Sequence, residues 1–321
     1  VVTPHSVLSQ GLVSIGFHNA LTVDAPDIHV DLADISPIGN VKFAGKVEGE
    51  VHVSGRNNDP HIEGDIRATD FVLGDMPFGN ISAGHVSLNQ LVVTLAGVRA
   101  TKGRSNYEVP TARLDFGGPG AVTLDARALS TDFDIRDLLA MFHMDDDPRF
   151  EPINGTIATN ANVHVALGGP EDQCGGGAID VGATTTVRDI ELYGERFEDA
   201  HADFDLRWND REAGIAGADL DLRAVALHKI HKRGASPVGS VLGAANLRHG
   251  DLRGNLVMEA LPLSRIDSLG KARGVVEGGI SGVARVGGTI EAFELTSDVD
   301  ITPVRLLGAQ LPSSQLHVTM T

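Results

Sequence analysis

GKVEGEVHVSGRNNDPHIEGDIRATDFVLGDMPFGNI, residues 45–81, decides the fold class. In its opening strand Val47, Val51 and Val53 fall on one face, with Gly49 between them, while Glu48, Glu50 and His52 fall on the other. A period of two means a β-strand with one dry and one wet side. The Gly, Asn, Asp and Pro residues that interrupt the pattern at short intervals are those that hairpin turns require.

The same alternation extends in both directions. In 156–167, Ile157, Ala161, Val163, Val165 and Leu167 oppose Asn160, Asn162 and His164. Phe204, Leu206 and Trp208 oppose Asp203, Asp205 and Arg207, and Leu295, Val299 and Ile301 oppose Thr296, Asp298 and Asp300. Leu220, Leu222, Leu316 and Val318 join the aliphatic set. The pattern predicts an all-β chain of repeated antiparallel strands, about 26 of them at ordinary strand spacing. Helical periodicity is scarce. Ile135, Leu138, Leu139 and Phe142 lie at i, i+3, i+4 and i+7, with Thr131 or Asp132 as the expected cap. In 264–270, Ser264 and Asp267 resemble a capping box and Gly270 suits a C-terminal cap.

Three marks recur in one order: LTVDA at 21–25, VTLDA at 122–126 and LVMEA at 256–260; a strand led by Gly45, Gly155 or Gly274; and a later strand–turn–strand. The leading glycines are 110 and 119 residues apart. The helical segments, and DLADISPIG at 31–39, fall in the same slot. Such a repeat predicts a stack in which each unit touches its neighbours. The expected division is 1–40 as the end of one repeat, 41–150 and 151–270 as two repeats, and 271–321 as the start of another, within a fragment (1–321) of a longer repeat protein.

Composition narrows the function classes. A net charge of −17 disfavours nucleic acid. Aromatics are only 4%, so aliphatic side chains must supply the apolar surface, and the aromatic girdles of a membrane barrel are missing. The single Cys174 excludes an internal disulfide and is expected to be a free loop thiol. HKIHKR at 228–233 is expected to be a solvated loop, and DDDP at 145–148 a solvated turn rather than a calcium loop. No GxSxG, HExxH, CxxC or phosphate-binding pattern is present. The expectation is a non-enzyme with no metal and no cofactor.

An aliphatic strand face without helices to cover it must fold over on itself or meet something else. A sheet curled along its length makes a trough that offers the hydrophobic effect, roughly 0.8 kcal/mol per buried methylene, and little chemical discrimination. That suits hydrocarbon tails. The candidate lining is Val47, Val51, Val53, Ile157, Val163, Val165, Leu167, Phe204, Leu206, Leu220, Leu222, Leu295, Val299, Ile301, Leu316 and Val318. Ile135, Leu138, Leu139 and Phe142 are a candidate plug of that groove.

The repeated G-x-V-x-G-x-V-x-V-x-G, the following D/N-P and the G-D-I-x-A-x-D of 45–81 resemble the TamB family, among the AsmA-like, bridge-like lipid transfer proteins of diderm bacteria. Residues 154–208 and 274–321 depart from the pattern, the first by a Gly-rich stretch in place of the D/N-P step. The resemblance implies an elongated β-taco open along one seam. It implies a full-length protein anchored in the inner membrane, crossing the periplasm and conducting phospholipids toward the outer membrane. Its partners would be phospholipid acyl chains, both membranes through parts outside this fragment, and an outer-membrane barrel of the TamA type. Two other functions stay open: a scaffold for outer-membrane protein assembly, and a structural β-solenoid or adhesin repeat.

Overall fold

The computed structural model describes residues 5–16, 20–36, 41–56, 59–74, 76–117, 122–148, 150–167, 178–209, 218–230, 236–289 and 292–320. Cys174 and residues 231–233 lie outside them, as does the side chain of Leu167.

The described residues form twenty strands and one α-helix. The strands are β1 (Val7–Ile15), β2 (Leu21–Asp31), β3 (Phe43–Arg56), β4 (Asp59–Leu73), β5 (Met76–Asn89), β6 (Val92–Lys102), β7 (Ser105–Asp115), β8 (Val122–Asp134), β9 (Ile153–Leu167) and β10 (Ala178–Leu192). They continue with β11 (Glu195–Asn209), β12 (Ala218–Ile230), β13 (Val238–Arg248), β14 (Asp251–Pro262), β15 (Val276–Glu277), β16 (Gly279–Gly288), β17 (Phe293–Ile301), β18 (Val304–Leu306), β19 (Ala309–Leu311) and β20 (Ser314–Met320). Helix α1 (Ile135–Met141) follows β8. Seventeen strands make one antiparallel sheet, and β15, β18 and β19 make a small second one. There are fewer strands than the expected 26 because many are long: β4, β9, β10 and β11 each run 15 residues. Glycines inside strands, such as Gly64, mimic turn signals without ending the strand.

Two compact units are present: Val1–Met144 with Asn160–Asp180, and Asp145–Thr159 with Val181–Thr321. In the first unit each strand from β1 to β8 pairs with the next by hairpin succession. Bulges interrupt the register, for example between Ala25 and Ile28 and between Ile66 and Ala68. In the second unit β11 to β14, β16, β17 and β20 pair in the same antiparallel way.

The helical segments correct two expectations. Asp134, not Thr131 or Asp132, caps α1 by accepting from the Arg136 N–H at 2.9 Å. After β14 the chain forms two 3₁₀ segments, Leu263–Arg265 and Asp267–Gly274. The Ser264–Asp267 capping box is not made there: the cap position is Pro262, which offers no side-chain bond, and Gly270 sits inside the second segment at φ 55°.

Candidate functional site

The candidate site is the apolar face, and register assembles it. Cross-strand pairing in the first unit joins Val23, Val53, Ile62, Leu88, Val93, Leu114 and Leu124 into one row across seven strands. A parallel row holds Ala25, Val51, Gly64, Val86, Leu95, Ala112 and Ala126. Further along the strands a third row holds Val30, Val47, Ala68, Ile81, Ala100 and Tyr107. Paired positions share a face, so these rows form a continuous aliphatic surface.

That surface is concave in the first unit. Phe43 on β3 and Phe116 just beyond β7 bring their ring centroids to 6.1 Å. Four strand steps would separate them by roughly 19 Å in a flat sheet. The sheet therefore rolls over its apolar side. Val41, Leu73, Leu114 and Val122 are buried where it closes, packed by Phe43, Phe71, Phe78, Val93, Phe116 and Leu124.

Away from that corner the aliphatic residues stay half-buried. On β3, Val47, Val51 and Val53 are all partly accessible, and no residue of the strand is buried. Val163, Phe204, Leu206, Leu220, Leu222, Leu295, Val299, Ile301 and Val318 are likewise half-buried. Ile157 and Val165 are covered, and Leu316 is half exposed. In the second unit Phe204, Leu222, Ala245, Gly254, Val286, Leu295 and Met320 make one row, and Leu206, Leu220, Leu247 and Leu252 another. The pattern did not reveal the hydroxyls on this face. Thr159 and Thr185 satisfy each other at 3.0 Å, and buried Ser297 donates to the Val283 carbonyl at 3.2 Å.

One end of each unit is closed differently. In the first unit β8 ends and β7, β5 and β3 begin at the same end, here the helix end. Ser105, itself buried, donates to the Asp137 carboxylate at 2.6 Å and accepts from the Asp134 N–H at 2.8 Å. The Arg104 N–H donates to Asp137 at 2.9 Å, and its guanidinium meets Asp134 at 2.7 Å. These bonds tie α1 to the β6–β7 turn, and a Cβ on Gly103 would collide with the Asp137 carboxylate. Ile135 is buried, Leu138 and Leu139 are half-buried, and Phe142 is exposed. Beneath, Tyr107 donates across β6 to the Phe78 carbonyl at 2.7 Å, and burial pushes its phenol pKa up.

In the second unit the helix end holds a buried cation. Lys229 is not part of a solvated loop. It lies on β12, on the face shared with Leu227, and its side chain is 4% exposed. Its ammonium meets Glu195 at 2.5 Å, the Arg196 carbonyl at 2.9 Å and Asp267 at 4.0 Å, over the Phe197 ring at 4.4 Å. Glu195 also accepts from the Asp267 N–H at 3.1 Å and from the Ser268 N–H and hydroxyl. Burial works to raise the Glu195 pKa, but the Lys229 and Ser268 hydrogen bonds hold it below the usual carboxylate value.

Asp267 accepts from the Arg196 guanidinium at 3.0 Å and its N–H at 3.1 Å, and the guanidinium holds its carboxyl down to about 2. A carboxyl lowered on folding stabilises the fold above its unfolded value, near 3.9, and loses that contribution as pH falls through the folded one. Segment 267–274 should therefore keep its hydrogen-exchange protection at pH 5 and lose it between about pH 4 and 2. Unchanged protection at pH 2 would refute the anchoring role of Asp267.

The opposite face is charged and paired. His52 meets Asp24 at 2.5 Å, His85 meets Asp65 at 3.0 Å, His164 meets Asp125 at 2.6 Å, and His317 meets Asp298 at 2.7 Å. An open hollow of about 720 Å³ lies on this face over β2 to β6, lined by Asp27, His29, Glu48, Glu50, Asp65 and Arg67 among others. Among the described residues no group of three or more His, Cys, Asp or Glu is placed to hold a metal ion. Asp145 and Asp146 are exposed in their turn. No helix among the described residues is long and apolar enough to cross a membrane.

Comparison with protein-family models, with curated proteins and with solved structures returns no match for this chain.

Proposed function

We propose that this chain is a section of a hydrophobic groove that conducts phospholipids by their acyl chains, without catalysis. The supporting observation is the set of apolar rows that cross strand after strand and stay half-buried. Water against such a wall is unfavourable by about 25 cal/mol per Å² of apolar area. A two-tailed lipid laid along it recovers on the order of 20 kcal/mol by that measure. Neighbouring rows of Val, Leu, Ile and Ala are close in energy, so the tail slides instead of locking.

The resemblance of 45–81 to the TamB family agrees with this reading. It places the whole protein in the periplasm of a diderm bacterium, anchored in the inner membrane and delivering toward the outer membrane, with a barrel of the TamA type as a further partner. The comparisons return no such relative, so the proposal rests on the apolar face itself. The acidic polar side keeps the opposite face wetted.

Val51→Asp, Val163→Asp and Leu206→Asp should each reduce phospholipid transfer between vesicles at least about tenfold, because an ionised carboxylate is desolvated there at several kcal/mol. Wild-type transfer by a variant with wild-type circular dichroism refutes the groove.

A second reading, a scaffold for assembling outer-membrane strands, draws on β1. Among the described residues β1 pairs only with β2, and it exposes Leu12, Val13 and Ile15 at 68%, 57% and 78%. An open apolar edge is a template for another strand. N-methylation of one outward amide of β1 would block strand addition and leave lipid transfer intact, which separates the two readings.

A further inference from the structure

The segments that follow β8 and β14 make the same crossing. Helix α1 leaves β8 and reaches β5, three strands back. Segment Asp267–Gly274 leaves the end of β14 and reaches β11, also three strands back. The anchors differ. The first unit uses Ser105, Asp134 and Asp137, whereas the second uses Glu195, Lys229 and Asp267. Different side chains holding one crossing at one place mark the crossing, and not any one bond, as the shared feature.

The burial of the apolar rows follows the crossing. In the first unit the row nearest the helix end has Ala68, Ile81 and Ala100 at 6%, 8% and 2% exposure. In the row nearest the far end Val23, Val53, Ile62, Leu88 and Val93 are all half-buried. Val47 and Val53 lie six residues apart on β3, about 20 Å along the strand. The Tyr107 side chain lies across β6 on the closed side.

We propose that α1 and segment 267–274 are straps that close the helix end of the apolar face in their units, so that an acyl chain enters the face from the opposite end of the strands. The proposal rests on the lipid-groove reading and adds the side of entry. An entering tail meets the half-buried row of Val53 first and stops short of the row of Val47 and Tyr107. Releasing the strap extends its reach. Asp137 is the release point in the first unit, since it joins α1 to both Arg104 and Ser105.

The test places a photoreactive amino acid at position 53 or position 47 of the full chain and mixes it with vesicles of phosphatidylethanolamine and phosphatidylglycerol. Lipid adducts should form about tenfold more at 53 than at 47, a difference of about 1.4 kcal/mol in occupancy. Asp137→Ala should bring position 47 up to the level of position 53. Ser105→Ala, which removes one bond and keeps the carboxylate, serves if Asp137→Ala does not fold. Equal adducts at both positions with the strap intact overturn the strap and leave the groove standing. So does a folded release variant that stays dark at 47. Adducts at neither position overturn the groove and the strap together.

Discussion

Lys229→Met should destabilise the second unit by about 3 kcal/mol, near the lower end expected when one partner of a buried ion pair is removed. The ammonium is 4% exposed, and its loss leaves Glu195 and Asp267 facing each other without the cation between them. The loss stays near the lower end because Glu195 keeps the Ser268 and Asp267 N–H groups and Asp267 keeps Arg196. The sole Trp, Trp208, lies on β11 of the same unit, so its fluorescence in urea follows this unit. The midpoint should fall with little change in slope. Lys229→Met combined with Glu195→Gln should recover part of the loss, since the stranded charge is removed with its partner. A single-variant loss under about 1 kcal/mol would show the ammonium to be solvated, as exposed pairs are.

Lys229 also marks where sequence reasoning reached its boundary. Alternation is a local property, so the strand faces carrying Val47, Val51, Val53, Phe204 and Leu206 were legible without any partner strand. HKIHKR looked like a basic loop because charge is the usual sign of a wet segment. In fact Leu227, His228, Lys229 and Ile230 continue the alternation of β12, and the acids that hold Lys229 come from 34 and 38 residues away. The pairing of His52 with Asp24 or His317 with Asp298 depends on register, which bulges shift by a residue and which no single strand encodes. The position of α1 was legible from its i, i+3, i+4, i+7 pattern. Its tie to Ser105 was not, because an isolated Ser before a strand carries no signal of burial.

The curl has the same standing. A dry strand face demands cover, and that much follows from composition. Where the cover falls depends on distant residues, and in the first unit it falls at aromatics. The chain is poor in them, yet Phe43, Phe71, Phe78 and Phe116 gather at the closing corner. Large rings reach across a gap that aliphatic side chains leave open, which gives the scarce aromatics a place where their size matters. A groove that is continuous through the first unit must part this corner for a tail to pass, so packing there opposes transport while holding the fold.

Phe43→Ala should therefore act on both stability and lipid access, in opposite directions. Phe43 is half-buried, so the stability loss should be about 2–3 kcal/mol, below the 3–5 kcal/mol of a fully buried Phe. Phe116→Ala should cost a similar amount. The double variant should cost less than the sum by about 0.5–1.5 kcal/mol, the coupling of a ring pair in contact. Hydrogen exchange should show protection lost on β3 and β7 together, although five residue steps of ladder on three strands separate them, because the rings join what the hydrogen bonds do not. Lipid adducts at position 53 should rise, since the corner no longer closes on itself. If the two substitutions add without coupling, the rings do not hold the curl. If the coupling is present and adducts do not rise, the corner is a structural core and the groove runs elsewhere on the apolar face.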